Sequence, residues 1–205
     1  MNKILLAITL ACIFFSSVAL SQGVATIGPD DSMQVRYATN LAIGDSVVNI
    51  TNTGTSGGNL CANIYTFDPA EELVSCCSCT ITPNGLQSIS VLRSLISNTL
   101  TLAIPTSVVV KVVASTPVAS TCNAANVTAD TLAPGLRAWG TTLHQLPTSV
   151  PSYSITETAF SNGGLVAPEL LHLTSFCGFI QAIGGGYGIC RGCAFGGMGA
   201  STVTN

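Results

Sequence analysis

Apolar and polar positions alternate through much of this chain in short runs, and a side-chain period of two predicts strands rather than helices. Residues 46–53 alternate in part and end at the loop Gly54-Thr-Ser-Gly-Gly-Asn59. Residues 60–67 and 72–81 form a hairpin pair around the connection Asp68-Pro-Ala-Glu71. Pro83-Asn-Gly85 is the strongest local turn signal and separates that pair from a strand over 86–91. Ser107-Val-Val-Val-Lys-Val-Val-Ala-Ser115 is the most β-branched run, and its continuity predicts a central strand. Strands over 136–146 and 153–160 complete the set. Several short strands with Gly, Pro, Asn and Ser between them predict a mainly β fold, an antiparallel Ig-like β-sandwich.

One stretch has a different period. From Ala167-Pro-Glu169 onward, Leu170, Leu173, Phe176, Cys177 and Ile180 recur at intervals of three and four, so they share a helix face. Pro168 in the first turn, Glu169 beside the positive helix end and Gly184-Gly-Gly186 after the last turn bound a helix over 167–183. A Gly- and Cys-rich loop from Tyr187 onward follows it.

The first residues change the picture of where the chain works. Lys3, an apolar run from Ile4 to Val18 and the small residues Ser16, Ser17, Ala19 and Ser21 match a secretory signal. The run is shorter than the roughly 20 residues a membrane span needs. Cleavage fits after Ala19 or after Ser21, and the second is preferred. The expected organisation is a signal peptide, 1–21, and a single domain, 22–205, that is secreted or held at the cell surface with no membrane span after cleavage.

Loss of Lys3 takes the formal net charge from −3 to −4, leaving Arg36, Arg93, Lys111, Arg137 and Arg191 against nine acidic residues. Five scattered cations make no footprint for nucleic acid or anionic lipid.

Of the nine cysteines, Cys12 falls in the leader, leaving Cys61, Cys76, Cys77, Cys79, Cys122, Cys177, Cys190 and Cys193. Behind a secretory signal an even number reads as a disulfide framework. Sequence cannot choose among the pairings, but three of these cysteines lie at or beyond Cys177, so full oxidation forces at least one bridge back to the sandwich. A hairpin centred between Pro69 and Ala70 brings Cys77 and Cys79 near Cys61, so a Cys61 bridge to one of them is expected, with Cys76 facing the other way. The cysteine pairs also admit zinc or an iron–sulfur cluster, but Cys76-Cys-Ser-Cys79 is a crowded triple rather than a spaced pair, and no metal or other cofactor is expected. Cys190 and Cys193 have the spacing of thiol–disulfide exchange motifs without a thioredoxin-like βαβ context.

Other candidates read as ordinary chemistry. Gly54-Thr-Ser-Gly-Gly58 looks like the glycine-framed serine of a protease, but no histidine precedes Ser56, and His144 and His172 lie far downstream. Both histidines read as surface or hydrogen-bonded residues. Asp68, Glu71 and Glu72 offer at most a weak calcium site. Asn49 and Asn126 head N-glycosylation sequons, the first in a strand and the second in a loop. No catalytic residue is assigned.

The strings LCANIYTFDPAEELVSCCSCTITPNG, LRAWGTTLHQLP and LTSFCGFIQAIGGGYGICRGC resemble a group of uncharacterised secreted cysteine-rich proteins of environmental bacteria. The resemblance covers most of the chain after the leader. It implies export, no established activity, and no functional residue to carry over.

The expected function is a non-enzymatic secreted or surface β-sandwich with a structural, adhesive or binding role and a partner the sequence does not name. A first alternative is a filament subunit self-assembled by strand pairing, with Gly23-Val-Ala-Thr-Ile27 as an added strand. A second is a thiol–disulfide oxidoreductase using Cys190 and Cys193.

Overall fold

The computed structural model describes residues 23–99, 101, 103–184 and 193–195. The expected leader, Cys190 and most of the segment expected as a Gly- and Cys-rich loop lie outside them. Among the described residues the strands are β1 (Met33–Ala38), β2 (Val47–Asn52), β3 (Leu60–Phe67), β4 (Leu73–Ile81), β5 (Leu86–Ser90), β6 (Val108–Ser115), β7 (Leu136–Gln145), β8 (Tyr153–Ala159), β9 (Ser161–Asn162) and β10 (Ala194–Phe195), with one α-helix, α1 (Ala167–Ala182). They form two five-stranded sheets, β4-β3-β6-β1-β9 and β10-β5-β2-β7-β8. Every pairing is antiparallel. The sandwich with a single C-terminal helix is the expected fold class.

Alternation builds three layers from this. In β6, which does sit centrally between β3 and β1, Val108, Val110, Val112 and Ala114 point into the core between the sheets. Val109 and Val113 point the other way, into a second core beneath α1. In β3, Leu60, Ala62 and Ile64 fill the first core and Tyr65 and Phe67 the second. The sheet of β4, β3, β6, β1 and β9 is thus buried on both faces. The helix lays Leu170, Leu173, Cys177 and Ile180 on it. Phe176, expected on that inner face, is 49% exposed and packs edge-on against His172, with ring centroids 4.5 Å apart. Ridge geometry explains the difference: positions 173, 177 and 180 define the stripe, and 176 falls on its margin.

The expectations missed β1. Met33, Val35 and Tyr37 alternate with Gln34 and Arg36, yet it is the polar face that enters the core between the sheets. Gln34 donates from Nε2 to Leu136 O (2.7 Å) and accepts at Oε1 from Ala138 N (3.1 Å), so its amide pairs with the β7 backbone at a point β8 does not reach. That satisfies a buried polar side chain and two buried main-chain groups at once.

The hairpin connection also differs. Asp68 N donates to Glu72 O, the register shifts between Thr66 and Phe67, and Cys61 consequently faces Thr80. The expected donor strand at residues 23–27 is partly engaged in its own molecule: Thr26 bridges Val166, and Ile27 N donates to Leu165 O (2.7 Å). Asn126 lies in the connection between β6 and β7, where Ala124–Asn126 form a single 3₁₀ turn.

Tyr65 links the layers. Its ring is fully buried in the second core and its hydroxyl donates to Ala124 O at 2.7 Å, in the turn against which α1 packs. Burial holds the phenol well above the ordinary tyrosine pKa by penalising the phenolate. A raised folded pKa makes this contribution complete below the unfolded value near ~10 and lost as pH rises past it. An alkaline absorbance titration should therefore show one tyrosine that ionises only as the near-ultraviolet dichroism collapses, and Tyr65→Phe should remove that step. Ionisation of every tyrosine while the dichroism is intact would contradict the burial of this ring.

Candidate functional site

The residues with the most chemistry outside the core gather where the turn after β3 meets α1. Asp68 caps that turn, its Oδ1 accepting from Ala70 N (2.9 Å) and Glu72 N (3.0 Å), while Glu71 takes a left-handed φ of 67°. Lys111 rises from β6 with its Nζ 4.8 Å from the Phe67 ring centroid and pairs with Glu169 in the first turn of α1. Both partners are about a quarter exposed (24% and 26%), so the pair sets the position of the helix start more than it adds stability. His172 follows one turn later.

These groups frame a hollow of about 310 Å³ floored by Phe67 and Val109. A second hollow of about 480 Å³ continues along α1 past Leu73, Phe176 and Phe179. Glu71 and His172 border both. The outer side of the helix adds Leu171, Phe179 and Ile183, 67%, 56% and 51% exposed. The only charged residue of α1 is Glu169, so the helix presents an uncharged apolar flank beside a mixed-charge hollow.

The candidates from the sequence are not assembled into a reaction centre. His144, on β7 in the other sheet, shares a hydrogen bond with Thr156 Oγ1 (2.9 Å), whereas His172 lies on the helix over the first sheet. Ser56 sits in an exposed loop with its hydroxyl toward Gly58 O. Asp68 spends one carboxylate oxygen on its own turn, and among the described residues no three His, Cys, Asp or Glu side chains converge as metal ligands. Asn49 lies on β2, its amide between Glu157 and Ser88.

Three disulfides are described. Cys61 bonds Cys122, Cys76 bonds Cys177, and Cys79 bonds Cys193, with Cα separations of 5.5, 5.7 and 5.8 Å. Cys77 is also disulfide-bonded, to a partner outside the described residues. The expected bridge from Cys61 to Cys77 or Cys79 does not form. With Cys61 facing Thr80, the alternation that sends Cys77 and Cys79 into the inter-sheet core sends Cys61 to the opposite face, where Cys122 meets it. Cys76 does face away from Cys77 and Cys79, toward α1. Two of the described bridges join the segment beyond Val166 to β4, where parity required at least one.

The polar centre that sequence reasoning missed is Arg36. It is 8% exposed in the core between the sheets, and among the described residues no carboxylate is bonded to it. Its Nη2 donates to Thr142 Oγ1 (2.7 Å), its Nη1 to Thr141 O (3.3 Å), and its Nε to Thr158 Oγ1 (3.2 Å). Burial lowers its pKa, and the field of Glu157 opposes that shift. Gly140 is what admits it: a Cβ there would stand 2.6 Å from Cζ and collide with Nη1. The signal available in sequence was a lone glycine inside a run of otherwise strand-forming residues, which marks close approach by another group.

No family model, curated protein or solved structure matches this chain. No helix of the described residues is long and apolar enough to cross a membrane.

Proposed function

We propose that the chain is a secreted or cell-surface β-sandwich without enzymatic activity, serving a structural, adhesive or binding role, and that it groups with the uncharacterised cysteine-rich secreted proteins it resembles. The observation that carries this reading is the use made of the cysteines. Each described bridge fastens a peripheral segment to the first sheet: the loop holding Cys122, the helix holding Cys177 and the segment at Cys193 that leads into β10. Thiols so placed brace a fold against an oxidising, proteolytic exterior. Cys193 is bonded to Cys79 rather than to its motif neighbour Cys190, which favours bracing over exchange between those two. The apolar outer flank of α1 and its adjoining hollow supply the surface for a binding or adhesive role.

Export of the natural precursor, N-terminal sequencing, thiol titration and non-reducing peptide mapping test this together. The expected product lies outside the cytoplasm, begins at Gln22, has no free thiol, and yields Cys61–Cys122, Cys76–Cys177 and Cys79–Cys193 peptides. The remaining mature pair is then Cys77 with Cys190. Retention of the uncleaved chain in the cytoplasm would reject the location. Reactive thiols at Cys190 and Cys193 that turn over a disulfide substrate would replace bracing with oxidoreductase chemistry.

A further inference from the structure

The two sheets have four edges, and among the described residues three are closed in different ways. The β4 edge is covered: eight of its nine residues are buried. Ser75 donates its hydroxyl to Leu95 O, and Cys193, bonded to Cys79, lies with its sulfur 3.8 Å from Ser78 O. The β9 edge and, within the described residues, the β10 edge are two residues long, too short to template a partner strand.

The fourth edge, β8, has none of these protections. It pairs with β7 over seven consecutive residues with no bulge, and all seven are half-buried or exposed. It holds no proline and no lysine; its one charge, Glu157, is tied sideways to Asn49 (2.9 Å). A long, regular, nearly uncharged edge presents alternate unpaired N–H and C=O groups, and an extended strand satisfies them.

We propose that β8 pairs antiparallel with β8 of a second copy about a two-fold axis, joining two five-stranded sheets into one of ten strands. The proposal deepens the structural role above by naming its partner. A second copy fits because the strand is complementary to itself in one favourable register. A two-fold axis normal to the sheet keeps the two core faces on one side, which requires facing residue numbers to share parity. Centring on Thr156 then pairs the whole strand, with Tyr153 facing Ala159, Ser154 facing Thr158 and Ile155 facing Glu157. Centring on Glu157 instead loses pairs and sets two carboxylates against each other, which is unfavourable across strands. The longest register is also the one that separates the charges.

Ile155 is the residue that reads this register, because it faces Glu157 of the other copy twice in the dimer. Sedimentation equilibrium of the mature, oxidised protein is expected to show a monomer–dimer equilibrium. Ile155→Glu should raise the dimer dissociation constant at least tenfold, whereas Ile155→Lys should leave it unchanged or lower it. Near-ultraviolet dichroism serves as the folding control for each variant. Thr156→Cys places a thiol at the axis, and on mild oxidation it should yield a disulfide between two copies, recovered by peptide mapping as a peptide containing position 156 linked to itself. A wild-type protein that stays monomeric at millimolar concentration overturns the proposal while leaving the braced-sandwich reading intact. So does a dimer indifferent to Ile155→Glu, or one weakened equally by Glu and Lys, since neither depends on the register argued.

Discussion

Gly140→Ala is expected to destabilise the fold by about 3–5 kcal/mol, although the backbone at this position tolerates alanine. The loss comes from Arg36. The new methyl would lie 2.6 Å from Cζ and closer still to Nη1, so the guanidinium must leave. An exposed arginine would swing aside at little cost. This one is 8% exposed and is held by Thr141 O, Thr142, Thr158 and Ser46. Displacement strips a buried cation of its acceptors, and orphaning a buried charge costs about 3–5 kcal/mol. For a domain of this size that lowers the melting temperature by roughly 10 °C.

A double-mutant cycle separates this cause from a general intolerance of side chains on β7. Arg36→Met keeps much of the apolar stem and removes the group that collides. In that background Gly140→Ala should cost less than about 1 kcal/mol, giving a coupling of about 2 kcal/mol or more, in the range seen for residues in direct contact. Equal cost of Gly140→Ala with and without the guanidinium, measured by denaturant unfolding of the four proteins, would show that Arg36 is not the reason for the glycine.

The same residues explain which parts of this fold could be read from sequence. Where the apolar face of a strand is the face toward the central core, pattern and structure agree. The β-branched run of β6 and the 60–67 run of β3 sit as expected. In β1 the two are inverted: Met33 and Val35 face the helix, while Gln34 and Arg36 enter the central core. Polar residues are acceptable there because β7 offers Leu136 O, Ala138 N and Thr141 O to them, and those partners are about a hundred positions away. No local pattern carries that information. The Cys61 pairing failed on alternation: facing numbers sum to an odd total in the expected and in the observed register alike, so Cys61 shares a face with Cys76, Ser78 and Thr80 and not with Cys77 or Cys79. The His172 and Lys111 hollow was equally hidden, since helix, turn and central strand supply one part each.

Replacing both members of the helix bridge, Cys76→Ala with Cys177→Ala, should release α1 while the sandwich persists. The double change avoids leaving a lone thiol to mispair. The helix buries three large apolar side chains, Leu170, Leu173 and Ile180, and burying such groups stabilises by roughly 1.5–3 kcal/mol each. Phe176 contributes little of this because it is half exposed. Ordering the 16 residues of α1 opposes that gain, because every backbone dihedral along it must be fixed. Helical hydrogen bonds, the Lys111–Glu169 pair and the Gln181–Asn123 contact (3.2 Å) offset part of that cost. Side-chain burial is thus opposed by the cost of ordering the helix, and the covalent link tips the balance toward docking. The bridge closes a separation of 101 residues, for which the chain-entropy account gives about 4.7 kcal/mol and typical native bridges about 2–5. The Cys79–Cys193 bond still ties the chain beyond the helix, so the helix opens as a tethered loop rather than a free tail, and the realised loss should fall below the full figure. Hydrogen exchange of the double variant should therefore show rapid exchange across Ala167–Ala182 with protection retained across Val108–Ser115. Simultaneous loss of protection in both segments would mean that the core under α1 and the core between the sheets unfold as one unit, because Val109 and Val113 of β6 belong to the first while Val110 and Val112 belong to the second.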